Sequence, residues 1–190
     1  METGANVRDI ELEQEAEKHK AFLRDEQKRS AFGKIPPMYR DIEALPPKGL
    51  MTGVQEHIIF GAFGTGKTYA AYQMAMSLFN SGDISTFLVV RAFRMLMDIK
   101  SSFSAGSYEN VFKSFLSYDL LVIDEWGKNS GSDFEESVLF EIINSRYENR
   151  KRTTIIVNAD KREDLRNAIR PDLLDRFRRG IYEISGKSRR

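Results

Sequence analysis

One stretch of the sequence has residue types and spacing that suit phosphate binding, Gly61-Ala62-Phe63-Gly64-Thr65-Gly66-Lys67-Thr68. Its glycines let the backbone curl so that several N–H groups point inward at phosphate oxygens. Residues 57–60, which suit a buried strand, and the helical pattern at 69–76 supply the strand, loop and helix order that a phosphate-binding loop requires. A glycine turn that carries Lys-Thr by coincidence is the alternative, and it would leave those flanks unexplained. The stretch therefore predicts a nucleotide site.

The side chains at the end of this stretch have distinct predicted roles. The positive end of the helix that begins near Lys67 adds to the attraction for anions. Lys67 is predicted to reach the β- and γ-phosphates, and the Thr68 hydroxyl is predicted to hold Mg²⁺. The predicted cofactors are therefore ATP and Mg²⁺. The predicted nucleotide-binding residues are Gly61, Gly64, Thr65, Gly66, Lys67, Thr68 and Tyr69.

Two more apolar runs end in polar residues that suit ATP hydrolysis. The run at 120–123 ends in Asp124-Glu125, and the run at 153–157 ends in Asn158. In an open parallel sheet, ligands bind at the carboxyl ends of the strands. Asp124 is predicted to hold Mg²⁺ through water, and Glu125 to orient and deprotonate the attacking water. Asn158 could bond both the γ-phosphate and that water, so the three strand ends together predict an ATPase.

Length and composition indicate one domain with a short appendage. The 190 residues are 41% hydrophobic and 30% charged, which suits a packed core with a polar surface. The absence of cysteine excludes disulfides and cysteine zinc sites. Residues 1–34 are too polar for a signal peptide or a membrane span, and no later run approaches eighteen apolar residues. We expect a cytoplasmic protein with no membrane partner.

Apolar runs that alternate with helical patterns predict a parallel sheet covered by helices on both faces. Strands are predicted at 57–60, 85–90, 120–125, 153–158 and 181–184, and helices at 67–80, 91–103, 108–117, 161–169 and 171–178. A loop at 127–131 and a capping box at 132–135 precede one further helix. The predicted inward residues of the helix at 91–103 are Phe93, Leu96, Met97 and Ile99. Those of the helix after Ser132 are Phe134, Val138, Leu139, Ile142 and Ile143.

The sequence allows more than one role for each end of the chain. Residues 8–32 favour an exposed charged helix, whose thin apolar stripe could bind a partner or simply face solvent. That stripe consists of Leu12, Ala16, Phe22 and Leu23. The proline-rich segment 33–50 is predicted to be a linker that packs across the domain, near the nucleotide base. Residues 150–190 carry thirteen basic and six acidic side chains, which could meet nucleic acid or be solvated surface.

These motifs together resemble those of an AAA+ ATPase, and in detail the DnaC/DnaI helicase loaders and the related transposition ATPase IstB. Three segments carry the resemblance beside the glycine loop. Leu121-Val122-Ile123-Asp124-Glu125-Trp126-Gly127 is similar to the family's magnesium-binding strand, with Trp126-Gly127 in place of the usual Ile-Gly. The segment 35–41 is similar to the family's stretch leading into the domain, and Asp175-Arg176-Phe177 to the segment that carries an arginine finger.

The resemblance implies a P-loop (ASCE) core with a five-stranded parallel sheet in the order 5-1-4-3-2. It also implies a homo-oligomer in which one subunit's arginine completes its neighbour's site. Arg176 matches that arginine, although a surface arginine in a basic helix is the alternative. The predicted catalytic residues are then Glu125, Asn158 and Arg176. We expect an extension at residues 1–34, an ATPase domain at residues 35–190, and no C-terminal lid domain.

The resemblance also implies contacts with DNA. In DnaC-like loaders the helical segment after the second strand lines a single-stranded DNA channel, and residues 91–117 match it. The predicted DNA-binding residues are Arg91, Arg94, Lys100 and Phe103, since cationic and aromatic side chains hold single strands. Core packing of Phe103 and solvated basic side chains are the alternative. Ser132 and Phe134 match another DNA-associated position, which the capping box explains equally well.

The predicted function is that of a DnaC-like ATPase that binds Mg²⁺, ATP and single-stranded DNA and helps to load a replicative helicase. The extension 1–34 is shorter than the helicase-gripping domain usual in loaders. Two alternatives stay open. One is an IstB-like transposition ATPase acting on duplex DNA, and the other is a nucleotide-switched adaptor with little turnover.

Overall fold

The computed structural model describes residues 15, 18, 35–50, 53–127 and 132–186. The chain divides into two compact units, Met1–Arg40 and Asp41–Arg190. In the first unit, Glu15 and Lys18 are helical and a 3₁₀ helix spans Pro37–Tyr39. The apolar stripe predicted at Leu12, Ala16, Phe22 and Leu23 lies outside the described residues, as do most of the loop at 127–131 and the last four residues.

The second unit is built on a sheet whose described strands all run parallel. The order is β2-β3-β4-β1-β5, which confirms the predicted order 5-1-4-3-2 counted from the opposite edge. The strands are β1 (Glu56–Gly61), β2 (Phe87–Arg91), β3 (Leu120–Trp126), β4 (Arg152–Asn158) and β5 (Ile181–Glu183).

Helices connect the strands, as parallel pairing requires. They are α1 (Lys67–Ser81), α2 (Ala92–Ser104), α3 (Tyr108–Ser117), α4 (Asp133–Glu148), α5 (Leu165–Ala168) and α6 (Pro171–Arg176), with a 3₁₀ helix at Arg162–Asp164. The single helix predicted at 161–169 is therefore divided, and α6 ends at Arg176 instead of residue 178. Pro171 begins α6 because proline is tolerated in the first helical turn. Among the helices of the described ranges, none combines the length and the apolar character needed to span a bilayer.

Alternating side chains of the central strands fill two apolar layers. Ile58 and Phe60 of β1 belong to a core formed with α2, α4, α5 and α6. Ile59, between them, is equally buried and points to the opposite face, where α1 packs. Continuous burial along β1, β3 and β4 is the pattern expected when both faces of a parallel sheet are covered.

The predicted inward face of α2 is partly wrong. Leu96 and Ile99 are buried, but Phe93 and Met97 are 55% and 44% exposed. Arg91 is the last residue of β2, so the helix begins at Ala92 and turns Ala92 and Met95 to the core in their place. In α4, Val138, Leu139, Ile142 and Ile143 are buried as predicted.

Phe134 is the exception on α4, because it lies in the exposed first helical turn. The Ser132 hydroxyl accepts a hydrogen bond from the Glu135 backbone N–H at 3.3 Å, which is the N-cap half of the predicted box. The Glu135 carboxylate accepts a hydrogen bond from Lys100 Nζ at 2.6 Å. The start of α4 is therefore tied to α2.

Arg146 of α4 joins the elements at the amino end of the sheet, and its side chain is fully buried at 1% exposure. Its guanidinium donates hydrogen bonds to Thr153 Oγ1 and to the carbonyl oxygens of Phe115, Leu116, Tyr118 and Arg152. These acceptors include the orphan carbonyls at the end of α3. Burial lowers the pKa of Arg146 to about 10, so the side chain remains charged at neutral pH.

We expect Arg146→Ala to lower the free energy of unfolding by about 3–5 kcal/mol, because several buried acceptors lose a charged donor. Chemical denaturation followed by circular dichroism measures the change. Arg178→Ala is the matched control, since Arg178 is exposed and pairs with Asp175 at the surface. Its effect should stay within about 0.5 kcal/mol. Equal stability of the two variants would contradict the role given to Arg146.

Candidate nucleotide-binding site

The glycine loop lies between the end of β1 and the start of α1, as its sequence predicts. Gly64 and Gly66 have φ angles of 78° and 96°, which side chains with a Cβ rarely adopt. At Gly61 the constraint is steric, because a Cβ there would lie 2.2 Å from the Ile184 carbonyl oxygen. The backbone beyond β5 can therefore pass close to the start of the loop only if residue 61 is glycine.

Lys67 is held against the loop that precedes it. The side chain is buried, and Nζ donates hydrogen bonds to the carbonyl oxygens of Gly61 and Ala62 at 2.8 and 2.6 Å. The Thr65 hydroxyl also donates to the Ala62 carbonyl, at 3.0 Å. The loop thus fixes an ammonium group beside a run of backbone N–H groups at a helix N-terminus, which is an arrangement suited to phosphate oxygens.

Thr68 and Asp124 are 56 residues apart in sequence and directly bonded in the structure. The Thr68 hydroxyl donates a hydrogen bond to Asp124 Oδ2 at 2.8 Å. Across the described ranges, no group of three or more His, Cys, Asp and Glu side chains could hold a metal ion. A hydroxyl beside one carboxylate nevertheless fits Mg²⁺, which binds through one or two carboxylates together with phosphate oxygens and water. Thr68 and Asp124 would therefore hold the ion together with the nucleotide.

The ends of β3 and β4 carry two of the predicted catalytic residues, Glu125 and Asn158, to the same edge of the sheet. Glu125 follows Asp124 directly, and its backbone N–H donates to Asp124 Oδ1 at 2.7 Å. Asn158 is the register partner of Gly61, so it lies beside the start of the glycine loop. Arg91 is the register partner of Asp124 on the other side, and its Nε lies 4.0 Å from Glu125 Oε2.

A cavity of about 470 Å³ adjoins the glycine loop on the side of β5. Its lining joins loop and α1 residues to the segment 45–47 and to the end of β5. Two hydrogen bonds hold that segment: Gln73 Nε2 to the Glu43 carbonyl at 3.4 Å, and the Tyr182 hydroxyl to the Lys48 carbonyl at 2.8 Å. The predicted position of this segment near the nucleotide base did not involve Gln73 and Tyr182, because no local sequence pattern reveals such distant contacts.

Arg176 lies against α4 of its own chain. It donates a hydrogen bond to Asn144 Oδ1, and its guanidinium carbon lies 5.5 Å from the Phe140 ring centre and 5.1 Å from that of Tyr147. The side chain is half-buried. Arg176 is thus held in a defined position, and it does not extend freely into solvent.

The four predicted DNA-binding residues are distributed over two elements. Arg91 ends β2 beside Glu125, whereas Arg94, Lys100 and Phe103 are on α2. Arg94 pairs with Asp98 at 3.0 Å and Lys100 pairs with Glu135 at 2.6 Å. Phe103 is 50% exposed and stacks on Tyr108 with ring centres 4.5 Å apart, so it is a surface aromatic residue.

The sheet order, the glycine loop and the hydrogen bond between Thr68 and Asp124 define a P-loop fold of the AAA+ type. The sequence comparison supplies the family. The chain belongs to the IstB-like ATP-binding proteins, whose family model matches residues 38–168.

Individual relatives and structures are consistent with this family. The replicative helicase loader DnaC of Buchnera aphidicola subsp. Schizaphis graminum is 29% identical over 130 residues, which are 67% of this chain and 52% of that protein. The crystal structure of the DnaC helicase loader has a TM-score of 0.61 at 20% identity, with 83% of this chain and 85% of that chain covered. The structure of the replication initiator DnaA bound to AMPPCP and single-stranded DNA has a TM-score of 0.57 at 23% identity, with 70% of this chain and 41% of that chain covered. The chain thus spans about half the length of the curated relatives it matches.

We expect Lys67→Ala to raise the Kd for a non-hydrolysable ATP analogue by about a hundredfold or more, because the phosphates lose a buried charged donor. Isothermal titration calorimetry measures the affinity. Lys113→Ala is the control, since Lys113 is an exposed lysine paired with Glu109 on α3. Unchanged affinity in the Lys67 variant, with folding verified, would contradict the phosphate site.

Proposed function

We propose that the chain is an Mg²⁺-dependent ATPase. The observation that carries the proposal is the 2.8 Å contact between Thr68 and Asp124, with Glu125 next in the chain. This contact joins the end of the glycine loop to the end of β3, where a metal-binding hydroxyl and carboxylate are needed. Membership of a family of ATP-binding proteins supports ATP as the nucleotide.

Each residue of the site has a distinct proposed role in ATP hydrolysis. The loop N–H groups and Lys67 bind the phosphates, and Thr68 and Asp124 would hold Mg²⁺, which would neutralise phosphate charge. Glu125 takes the proton from the attacking water as its oxygen bonds to the γ-phosphorus. The bond from the γ-phosphorus to the bridging oxygen breaks, and ADP leaves with that electron pair. Asn158, beside the loop, orients the water and the γ-phosphate.

We propose further that this ATPase assists the loading of a replicative helicase, as its DnaC relatives do, and that it binds single-stranded DNA, as the structurally similar DnaA does. The exposed Phe103 ring offers a stacking surface for bases. Because Arg94 and Lys100 already pair with carboxylates, phosphates would have to replace Asp98 and Glu135. Residues 1–34 are proposed as the contact with the helicase.

Action on duplex DNA in transposition is the second candidate, because the matching family model is that of the IstB-like proteins. Strand preference separates the two candidates. A loader should respond to single strands and to a helicase, whereas a transposition ATPase should respond to duplex DNA.

The proposal predicts steady-state ATP hydrolysis by the wild-type protein that requires Mg²⁺ and rises with single-stranded DNA. Glu125→Gln should bind ATP normally and lose about a hundredfold or more in kcat, because the water loses its general base. A coupled phosphate-release assay with single-stranded DNA, duplex DNA and the helicase added in turn measures these effects. Glu136→Gln is the matched control, since Glu136 is an exposed carboxylate in the first turn of α4. Normal turnover by Glu125→Gln would show that another group is the base.

We expect Arg176→Ala to keep ATP affinity and to lose about a thousandfold or more in kcat, as loss of an arginine finger does. Mixing it with Glu125→Gln protein should restore activity, because some interfaces then combine an intact base with an intact arginine. Asn144→Ala is the control, since it removes the hydrogen bond to Arg176 and keeps the guanidinium. Absence of rescue at every mixing ratio, with assembly confirmed by sedimentation, would contradict a finger acting between subunits.

A further inference from the structure

The end of β3 is irregular at the residue proposed as the catalytic base. Ile123 pairs with Ile155 of β4, but the next pair is Trp126 with Val157. Three steps along β3 thus correspond to two along β4, which is a β-bulge with one extra residue. Glu125 lies in this bulge with a φ angle of 58°, a left-handed conformation that is unfavourable for a residue with a side chain.

The bulge determines which side chains face which layer. In a regular strand, residue 125 would point to the same face as Ile123, into the core with α2 and α4. The extra residue lets Trp126 take that direction, and Trp126 packs half-buried against that core. Glu125 is thereby left at the polar edge, beside Arg91. Burial of Trp126 and presentation of Glu125 are two results of one backbone irregularity.

Packing against the core and a side-chain hydrogen bond hold the Trp126 ring in this position. The indole Nε1–H donates to the carbonyl oxygen of Ala168, the last residue of α5, at 3.1 Å. The ring borders a cavity of about 250 Å³ whose lining includes Leu139 and Ala168, so its packing is incomplete on that side. Gly127, on the other side of Trp126, has a φ angle of 83°. The strand end therefore turns sharply on both sides of the anchored ring.

We infer that Trp126 is a positioning residue for Glu125: its N–H bond to Ala168 maintains the bulge that places the carboxylate for catalysis. This inference rests on the proposed function, because it takes Glu125 as the base. Ala168 precedes Pro171, which begins the helix that carries Arg176. The same hydrogen bond thus connects the strand of the base to the segment leading to the proposed finger.

The test removes the indole N–H and nothing else. Trp126 is the only tryptophan of the chain, so growth on the isosteric sulfur analogue β-(3-benzothienyl)alanine alters position 126 alone. We expect kcat for ATP to fall about ten- to a hundredfold, since displacement of a catalytic group by about 1 Å costs up to that much. KM and the Kd of a non-hydrolysable analogue should stay at wild-type values, because no phosphate contact changes. Trp126→Phe should behave in the same way.

Leu139→Ala is the matched control, because Leu139 lines the same cavity without contacting β3 through a polar bond. It should lower Tm and leave kcat unchanged at temperatures well below Tm. If the sulfur-substituted protein hydrolysed ATP at the wild-type rate, the inference would be overturned and the proposed function would stand. The same holds if Leu139→Ala lowered kcat as strongly, since Trp126 would then act through packing. If Glu125→Gln turned over at the wild-type rate, both the proposed base and its positioning residue would be wrong.

Discussion

The parallel pairing of β1, β4 and β3 is the constraint on which the site depends. In this order the carboxyl ends of three consecutive strands meet at one edge, and each carries one part of the predicted chemistry. The register places Gly61 opposite Asn158, and Thr68, just beyond the loop, reaches Asp124. A shift of one residue in either pairing would turn those side chains to other faces. Buried, hydrogen-bonded strands therefore maintain the separations that hydrolysis needs.

The opposite edge of the sheet carries polar groups with a structural role. Arg146 satisfies carbonyl oxygens of three segments there. Burial alone would raise the pKa of Asp119, but hydrogen bonds from Lys151 and from the Ser85 and Thr86 backbone lower it, so the carboxylate stays ionised at neutral pH. Polar groups at the amino ends of the strands therefore stabilise the sheet, whereas those at the carboxyl ends face the side where ligands bind.

The predictable part of the structure followed from local patterns, and the remainder depends on distant contacts. Apolar runs with polar ends predicted the sheet. The Mg²⁺ role predicted for both Thr68 and Asp124 requires these residues to lie close together, as they do. The prediction that Phe93 and Met97 point inward was wrong, because α2 begins at Ala92 and its buried stripe has a different helical phase. The β3 bulge was also missed, since the sequence around Glu125 continues an ordinary strand pattern and only the pairing with β4 reveals the extra residue.

The lone tryptophan has a practical consequence, because it is the one indole fluorophore of the chain and stands directly after the proposed base. Indole emission depends on the polarity around the ring and on the hydrogen bond that its N–H donates. The tryptophan fluorescence of this protein, excited at wavelengths that the seven tyrosines do not absorb, therefore originates within one residue of Glu125, at the end of β3. Changes in that emission during nucleotide exchange can be assigned to that strand end without any added label, and they would report its movements in real time.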